Sequence, residues 1–337
     1  MATGTTFRIL PSGDGRYYGA YPDGDAPTGI TAMQAYVFGH SLFTYTGGDT
    51  APATDYTRTG TWMGSFAAHN TLDFNGQGDF GQMTTLNGYW ASRAAAYAGD
   101  GQPRLDASSA GGVPDSPQYN YPTNTTPDWS SGDWGSQSWT HVYTMPSNFE
   151  QNSVTPAAYN ARIQEQLDNF VSLLTNPTVV YYMHWQEGGV QPVPPVDVTN
   201  MTSGEAQTYR DYTRGDYLTW FVGSQDLTIA ANPTLNYVTV PVGPVWADLW
   251  ENESYFQGLN SGVFFGDQSP HGTETMYFLA GLICYRAQYG VNFDPSGYVP
   301  PVGSVVNSAV LNNLPAIVSY IEQRLNFYNS NGVRVYL

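Results

Sequence analysis

The chain has 337 residues, 41% of them hydrophobic and 15% aromatic, and its 28 acidic side chains face 11 basic ones for a net charge of −17 at pH 7. Every basic residue is an arginine. A field of that sign repels nucleic acid and anionic membrane surfaces, so neither is expected as a partner, and it argues against a polyanionic substrate. The length admits one large domain or two modest ones, and the absence of any linker or internal repeat points to a single domain over 1–337.

The N-terminal stretch, residues 1–30, is rich in Gly, Pro and Asp with little periodicity and reads as an arm laid over the domain. Gln34 to Phe38 is the first buried strand. Thr61 to Ala68 places Trp62, Met63, Phe66 and Ala67 at helical spacing. Thr71 to Asn75 reads as a second short strand that enters a glycine-rich turn over Gly76 to Gly81. Asn87 to Ala98 is a helix candidate, and residues 99–138 form a long polar loop with interleaved aromatics. A loop of that length inside a domain is usually functional or disordered, and its tyrosines and tryptophans favour the former.

His141 to Met145 is the third strand. Thr155-Pro156 combines a cap with proline at the first helical position, and Ile163, Leu167, Phe170, Val171 and Leu174 follow as one apolar stripe. Thr178 to Met183 is the fourth strand, followed by a Pro-rich loop. Thr202-x-x-Glu205 is a capping box that opens a helix towards Ile229. Tyr237 to Val242 is the fifth strand. A helix after His271 ends at Gly290, and a C-terminal helical region spans 305–330, its last helix starting at Pro315 with Ile317, Val318, Ile321 and Leu325 facing inward. Strands alternating with helical stripes imply a parallel sheet flanked by helices.

Cys284 is the only cysteine, which excludes an internal disulfide; set among Leu282, Ile283 and Tyr285, it reads as a small core residue. No window approaches the ~18 to 20 apolar residues of a membrane span. The first residues carry no basic and apolar leader, so the protein is either cytoplasmic or has lost a signal peptide. Abundant Gly, Asn, Tyr and Thr with little charge resembles exported bacterial proteins, and we expect a secreted or periplasmic location.

The chemistry centres on Ala35-Tyr36-Val37-Phe38-Gly39-His40-Ser41-Leu42. An apolar strand ending in Gly-His-Ser lifts a serine hydroxyl off the C-terminal edge of a sheet, where open α/β folds place their sites. A serine is a poor nucleophile until a base takes its proton, a third group orients that base, and preorganised donors meet the oxyanion. Among His40, His69, His141, His184 and His271, the last is the best base, lying just before a helix with Asp267 four residues ahead. Glu274 is the alternative orienting acid. His69 and His141 read as structural.

These pieces resemble the SGNH (GDSL-like) hydrolases. Gly39-His40-Ser41-Leu42 is similar to the block that carries their nucleophile, Gly266 to His271 to the block that carries acid and base, and Val238 to Ala247 to their fifth strand and the turn after it. The last block departs from the pattern, with three residues between acid and base where two are usual. The resemblance implies a flavodoxin-like, three-layer α/β fold with a central parallel five-stranded sheet and long loop insertions. It also implies ester hydrolysis without metal or other cofactor, by Ser41, His271 and Asp267. The oxyanion hole would take a glycine after the second strand, Gly81 or Gly78, and an asparagine, sought here after the fourth. The chain there reads Met183-His184-Trp185-Gln186 with no asparagine, leaving His184, preferred by position, or Gln186.

Trp129 and Trp134, in the aromatic loop, are the candidates for stacking on a sugar. The leading expectation is therefore an esterase removing short acyl groups, acetyl first among them, from a carbohydrate or small-molecule ester. An acyltransferase or polyester hydrolase on the same fold is the alternative, and a non-catalytic carbohydrate-binding or structural module on a degenerate fold is a third. Nothing in the sequence fixes the oligomeric state.

Overall fold

Five strands in parallel form the centre of the molecule. In this computed structural model the described residues are 7–9, 17–19, 30–39, 42–43, 59–80, 139–145, 155–169, 171–186, 197–268 and 270–337. The strands are β3 (Ala32–Gly39), β4 (Asp73–Phe80), β5 (His141–Thr144), β6 (Thr178–Tyr182) and β7 (Tyr237–Val240). They lie in the order β4-β3-β5-β6-β7, which numbered within the sheet is 2-1-3-4-5, that of flavodoxin-like doubly wound folds, whose switch point lies between the first and third strands. The fold class is thus as the sequence implied. β5 and β7 are buried at every position, as a parallel sheet covered on both faces requires of its Val- and Tyr-rich strands.

Helix α1 (Thr59–His69) crosses from β3 outward to β4, while α2 (Pro156–Asn169) crosses from β5 to β6 in the opposite direction. Right-handed crossovers place those two helices on opposite faces. α3 (Ser203–Tyr212) and α4 (Leu218–Ala231) connect β6 to β7, joined by one π-helical turn at Thr213–Tyr217. The Thr202 capping box is present, with Glu205 N–H donating to Thr202 Oγ1 at 3.3 Å and Thr202 N–H to Glu205 Oε2 at 2.8 Å. α5 (Val242–Asn252), α6 (Glu274–Tyr289), α7 (Ser308–Asn312) and α8 (Leu314–Ser330) complete the chain. α6 is buried from Thr275 to Tyr289, packs on α1, and ends at Gly290, whose φ of 70° supplies the left-handed cap.

Several local expectations are corrected. The strand after Leu72 does not stop at Asn75; it runs to Phe80, with Gly76 opposite Ala35 and Gly78 opposite Val37. Ladder hydrogen bonds to β3 outweigh the weak strand preference of glycine, so Gly78 is a strand residue and not a turn donor. The fifth strand stops at Val240, and α5 begins at Val242. Pro241 has no N–H to continue a ladder, and it precedes the first helical residue. The stripe after Pro156 breaks into a 3-10 turn at Val171–Leu173. The C-terminal region is two helices, because Pro315 can begin α8 but cannot continue α7. Within residues 1–30, Phe7–Ile9 (β1) and Tyr17–Gly19 (β2) pair antiparallel where no strands were expected. The Asn87 to Ala98 helix and the 99–138 loop fall outside the described residues.

The chain's last turn covers the edge of β7. Thr239 N–H donates to Arg334 O at 2.7 Å, and the buried Gln225 carboxamide clamps the same segment through Gly332 O at 2.9 Å and Arg334 N at 2.8 Å. An edge that would otherwise present unpaired backbone is closed in this way.

Candidate active site

The acid–base loop is built from a short bridge. Phe265 and Gly272 pair antiparallel, with Gly266 N–H donating to His271 O at 2.8 Å and Thr273 N–H to Phe264 O at 2.8 Å. Thr273 then caps α6, accepting from Met276 N–H. Gly272 is required by the packing, since a Cβ there would lie 2.9 Å from the Tyr277 ring.

Within this loop Asp267 grips His271 twice. Its Oδ1 accepts the His271 backbone N–H at 3.0 Å, and its Oδ2 lies 2.6 Å from His271 Nδ1. A carboxylate at Nδ1 selects the tautomer with the proton there, which makes Nε2 the proton acceptor. The pair is partly exposed, with side-chain accessibilities of 20% for His271 and 35% for Asp267. Glu274, the alternative acid, instead accepts the backbone N–H of Val305. Three residues between acid and base therefore still close a hydrogen-bonded pair.

Ser41 lies outside the described residues, as do His40, Gly81, Trp129 and Trp134. Its chain neighbours define the ground around it. β3 ends at Gly39, and Leu42 and Phe43 are buried, with the Phe43 ring edge-on to Tyr143 at 5.6 Å and to Tyr182 at 5.1 Å. Tyr182 donates to Leu42 O at 3.4 Å, and Thr59 N–H to Phe43 O at 2.9 Å. The segment after Ser41 is thus held at the C-terminal edge of the sheet. The acid–base loop reaches the same edge, because Trp185, just past β6, donates its indole N–H to Pro270 O at 2.9 Å.

The two candidate side-chain donors after β6 differ in their surroundings. His184 is fully buried, with Nδ1 at 2.7 Å from Trp185 O and 2.8 Å from the Tyr217 hydroxyl, and its ring packs on Tyr217 and Phe221. Gln186 is also fully buried, and neither atom of its carboxamide hydrogen-bonds to a described group. Its backbone carbonyl accepts from the Tyr209 hydroxyl.

The remaining histidines sit elsewhere. His141 opens β5 and so lies at the opposite, N-terminal edge, where burial pushes its imidazole down to about 4. His69 ends α1 and packs against Phe293 and Tyr298. Cys284 is buried in the middle of α6, and burial pushes its thiol up. Among the described residues no three His, Cys, Asp or Glu side chains gather as metal ligands would, and no helix is long and apolar enough to cross a membrane.

Sequence reasoning missed Trp185 and Gln268. Gln268 accepts from Val198 N–H at 3.2 Å and donates to Asp197. The extra residue in the acid–base spacer was its one sequence signal; nothing in the sequence pairs Trp185 with Pro270.

No family model matches the chain, and no curated protein does. Among solved structures it is similar to a DUF4886 family protein from Bacteroides uniformis, at 10% identity over 88% of this chain and 96% of that one, with a TM-score of 0.52. The likeness is one of fold. Looser superpositions are found with LAE5, an α/β hydrolase enzyme from the metagenome of Lake Arreo, Spain, at 11% identity over 78% of this chain and 97% of that one (TM-score 0.39). A provisionally assigned GDSL-like lipase from Parabacteroides merdae matches at 9% identity over 79% and 99%, respectively (TM-score 0.40).

Proposed function

We propose that the protein is a serine esterase acting on short acyl esters, acetyl esters foremost, of a carbohydrate. The observation that carries this reading is the Asp267–His271 pair, with Oδ2 2.6 Å from Nδ1, in a loop tied through Pro270 to Trp185 just past the end of β6. Ser41 Oγ attacks the acyl carbonyl as His271 Nε2 takes its proton, and the same nitrogen returns the proton to the leaving alcohol. Water then repeats the cycle on the acyl-enzyme. Asp267 keeps the imidazole in register and offsets its charge when protonated.

The oxyanion is met by the backbone N–H groups of Ser41 and Gly81 and by one side chain. For that side chain we take Gln186 over His184. A buried carboxamide without a described partner has donors to offer, whereas His184 Nδ1 is engaged with Trp185 O and Tyr217. Trp129 and Trp134 serve as the sugar platform, and export is the setting such a substrate implies. An acyltransferase would use the same groups, with an acceptor alcohol in place of water.

The test is turnover of p-nitrophenyl acetate by wild type and by Ser41→Ala. We expect the variant to lose at least three decades of rate while keeping the wild-type melting temperature, since the oxyanion hole alone sustains only a residual rate. Wild-type turnover in Ser41→Ala removes the nucleophile assignment. No turnover by wild type on any acyl ester leaves the binding-module reading in its place.

A further inference from the structure

The two described residues between acid and base are both held from outside the loop. Pro270 is held through its carbonyl by the indole N–H of Trp185 at 2.9 Å, and the Trp185 ring, fully buried, stands edge-on to Tyr277 of α6 at 5.6 Å. The backbone at Trp185 lies close against α5. Gly243 is packed so closely there that a Cβ would lie 2.5 Å from His184 O and 3.0 Å from Trp185 Cα. Gln268 is held through its carboxamide, which accepts from Val198 N–H and donates to Asp197.

The turn that receives Gln268 is braced in its own right. Asp197 caps it through Thr199 N–H at 2.9 Å, Met201 N–H donates to the buried Ser261 hydroxyl at 2.9 Å, and Asn260 donates to Asn200 at 3.1 Å. Gly262 lies so near that a Cβ would be 2.8 Å from Thr199 O. The segments that grip the spacer are thus the end of β6 on one side and the 197–201 turn on the other.

We propose that Trp185 and Gln268 are positioning residues for the Asp267–His271 pair, a role that rests on the esterase reading above. A spacer of three residues gives the acid more freedom than a spacer of two. Clamping both Gln268 and Pro270 removes that freedom and holds Asp267 at His271 Nδ1. Displacing a catalytic group by about 1 Å can cost on the order of a hundredfold in rate, so a clamp that holds fractions of that distance matters to kcat and little to KM.

The experiment measures kcat, KM and melting temperature on p-nitrophenyl acetate, together with the NMR resonance of the His271 Nδ1 proton. Trp185→Phe keeps a ring against Tyr277 but removes the N–H; we expect kcat to fall about tenfold with KM within about twofold. Gln268→Glu keeps an acceptor for Val198 N–H but sets a carboxylate against Asp197, and kcat should fall roughly three- to tenfold. One oxygen, Asp197 Oδ1, serves both Thr199 and Gln268, so adding Asp197→Asn to Gln268→Glu lets the amide turn its Nδ2 to the carboxylate at the expense of the Thr199 cap, and kcat should recover to within about threefold of wild type. The Nδ1 proton signal should broaden or shift in each single variant and return in the double variant.

Single variants with unchanged kcat and an unchanged Nδ1 signal overturn the proposal, as does a double variant no better than Gln268→Glu. Should wild type show no turnover while the Nδ1 signal responds as described, the esterase reading fails and the positioning role stands.

Discussion

At the scale of single residues, the decisive fact is that one carboxylate binds one histidine at two points. Asp267 cannot swing away from the His271 ring without also releasing the backbone N–H. Its replacement should therefore be felt chiefly in the chemistry. Asp267→Asn presents a neutral amide to Nδ1 and no longer selects the productive tautomer, and we expect kcat on p-nitrophenyl acetate to drop by roughly three to four decades with little change in melting temperature. Glu274→Gln should stay within about threefold of wild type, because its carboxylate accepts from Val305 N–H and the amide oxygen of Gln can accept the same bond. Equal losses in the two variants would show that the acid has been misassigned. The sequence alone left both carboxylates open, since spacing along a loop does not say which way a side chain turns. The bridge between Phe265 and Gly272 makes that choice, and bridges between irregular segments leave no periodic trace.

At the scale of elements, α6, the helix that follows His271, packs against α1. Gly281 lies at the crossing, where an added Cβ would meet Trp62 Cβ at 2.6 Å and the Phe66 ring at 3.3 Å. Gly281→Ala gains up to ~1 kcal/mol of helix propensity but overpacks a junction with no flexible atom to yield, at about 1 to 3 kcal/mol or more. The net expectation is a lower denaturation midpoint. Gly204→Ala, where nothing lies within 4 Å, should be neutral or slightly stabilising and serves as the control. A Gly281→Ala protein as stable as wild type would mean that α1 and α6 meet less closely than this. Elements marked by strong local chemistry were legible: the Val- and Tyr-rich strands, the Thr202 capping box, the Gly290 stop and the inner face of α8. Those decided by neighbours were not. The glycines of β4 become strand only because β3 lies alongside, and α5 was hidden because Val-Pro-Val-Gly-Pro reads as strand and turn until the sheet edge ends it.

At the scale of the whole molecule, the charge and the aromatic residues constrain the substrate together. A net charge of −17 disfavours anionic polymers and surfaces, while tryptophan rings, such as those of the proposed platform residues Trp129 and Trp134, are uncharged and of the kind that stack on sugar rings. A neutral acylated glycan satisfies both. Binding groups remote from the reacting bond act only on substrates large enough to reach them, and the energy they supply appears in kcat/KM for those substrates alone. If Trp129 and Trp134 form the platform, replacing either with alanine should lower kcat/KM on an acetylated oligosaccharide by roughly tenfold, in line with one to two kcal/mol for a lost aromatic contact. The same variants should leave p-nitrophenyl acetate, which carries no sugar ring to stack, within about twofold of wild type. Equal losses on both substrates would make the loop a support for the fold or the catalytic residues. The carbohydrate assignment would then lose its argument, while the acid–base pair and the ester chemistry proposed for it would keep theirs, since those rest on Asp267 and His271 and not on the loop.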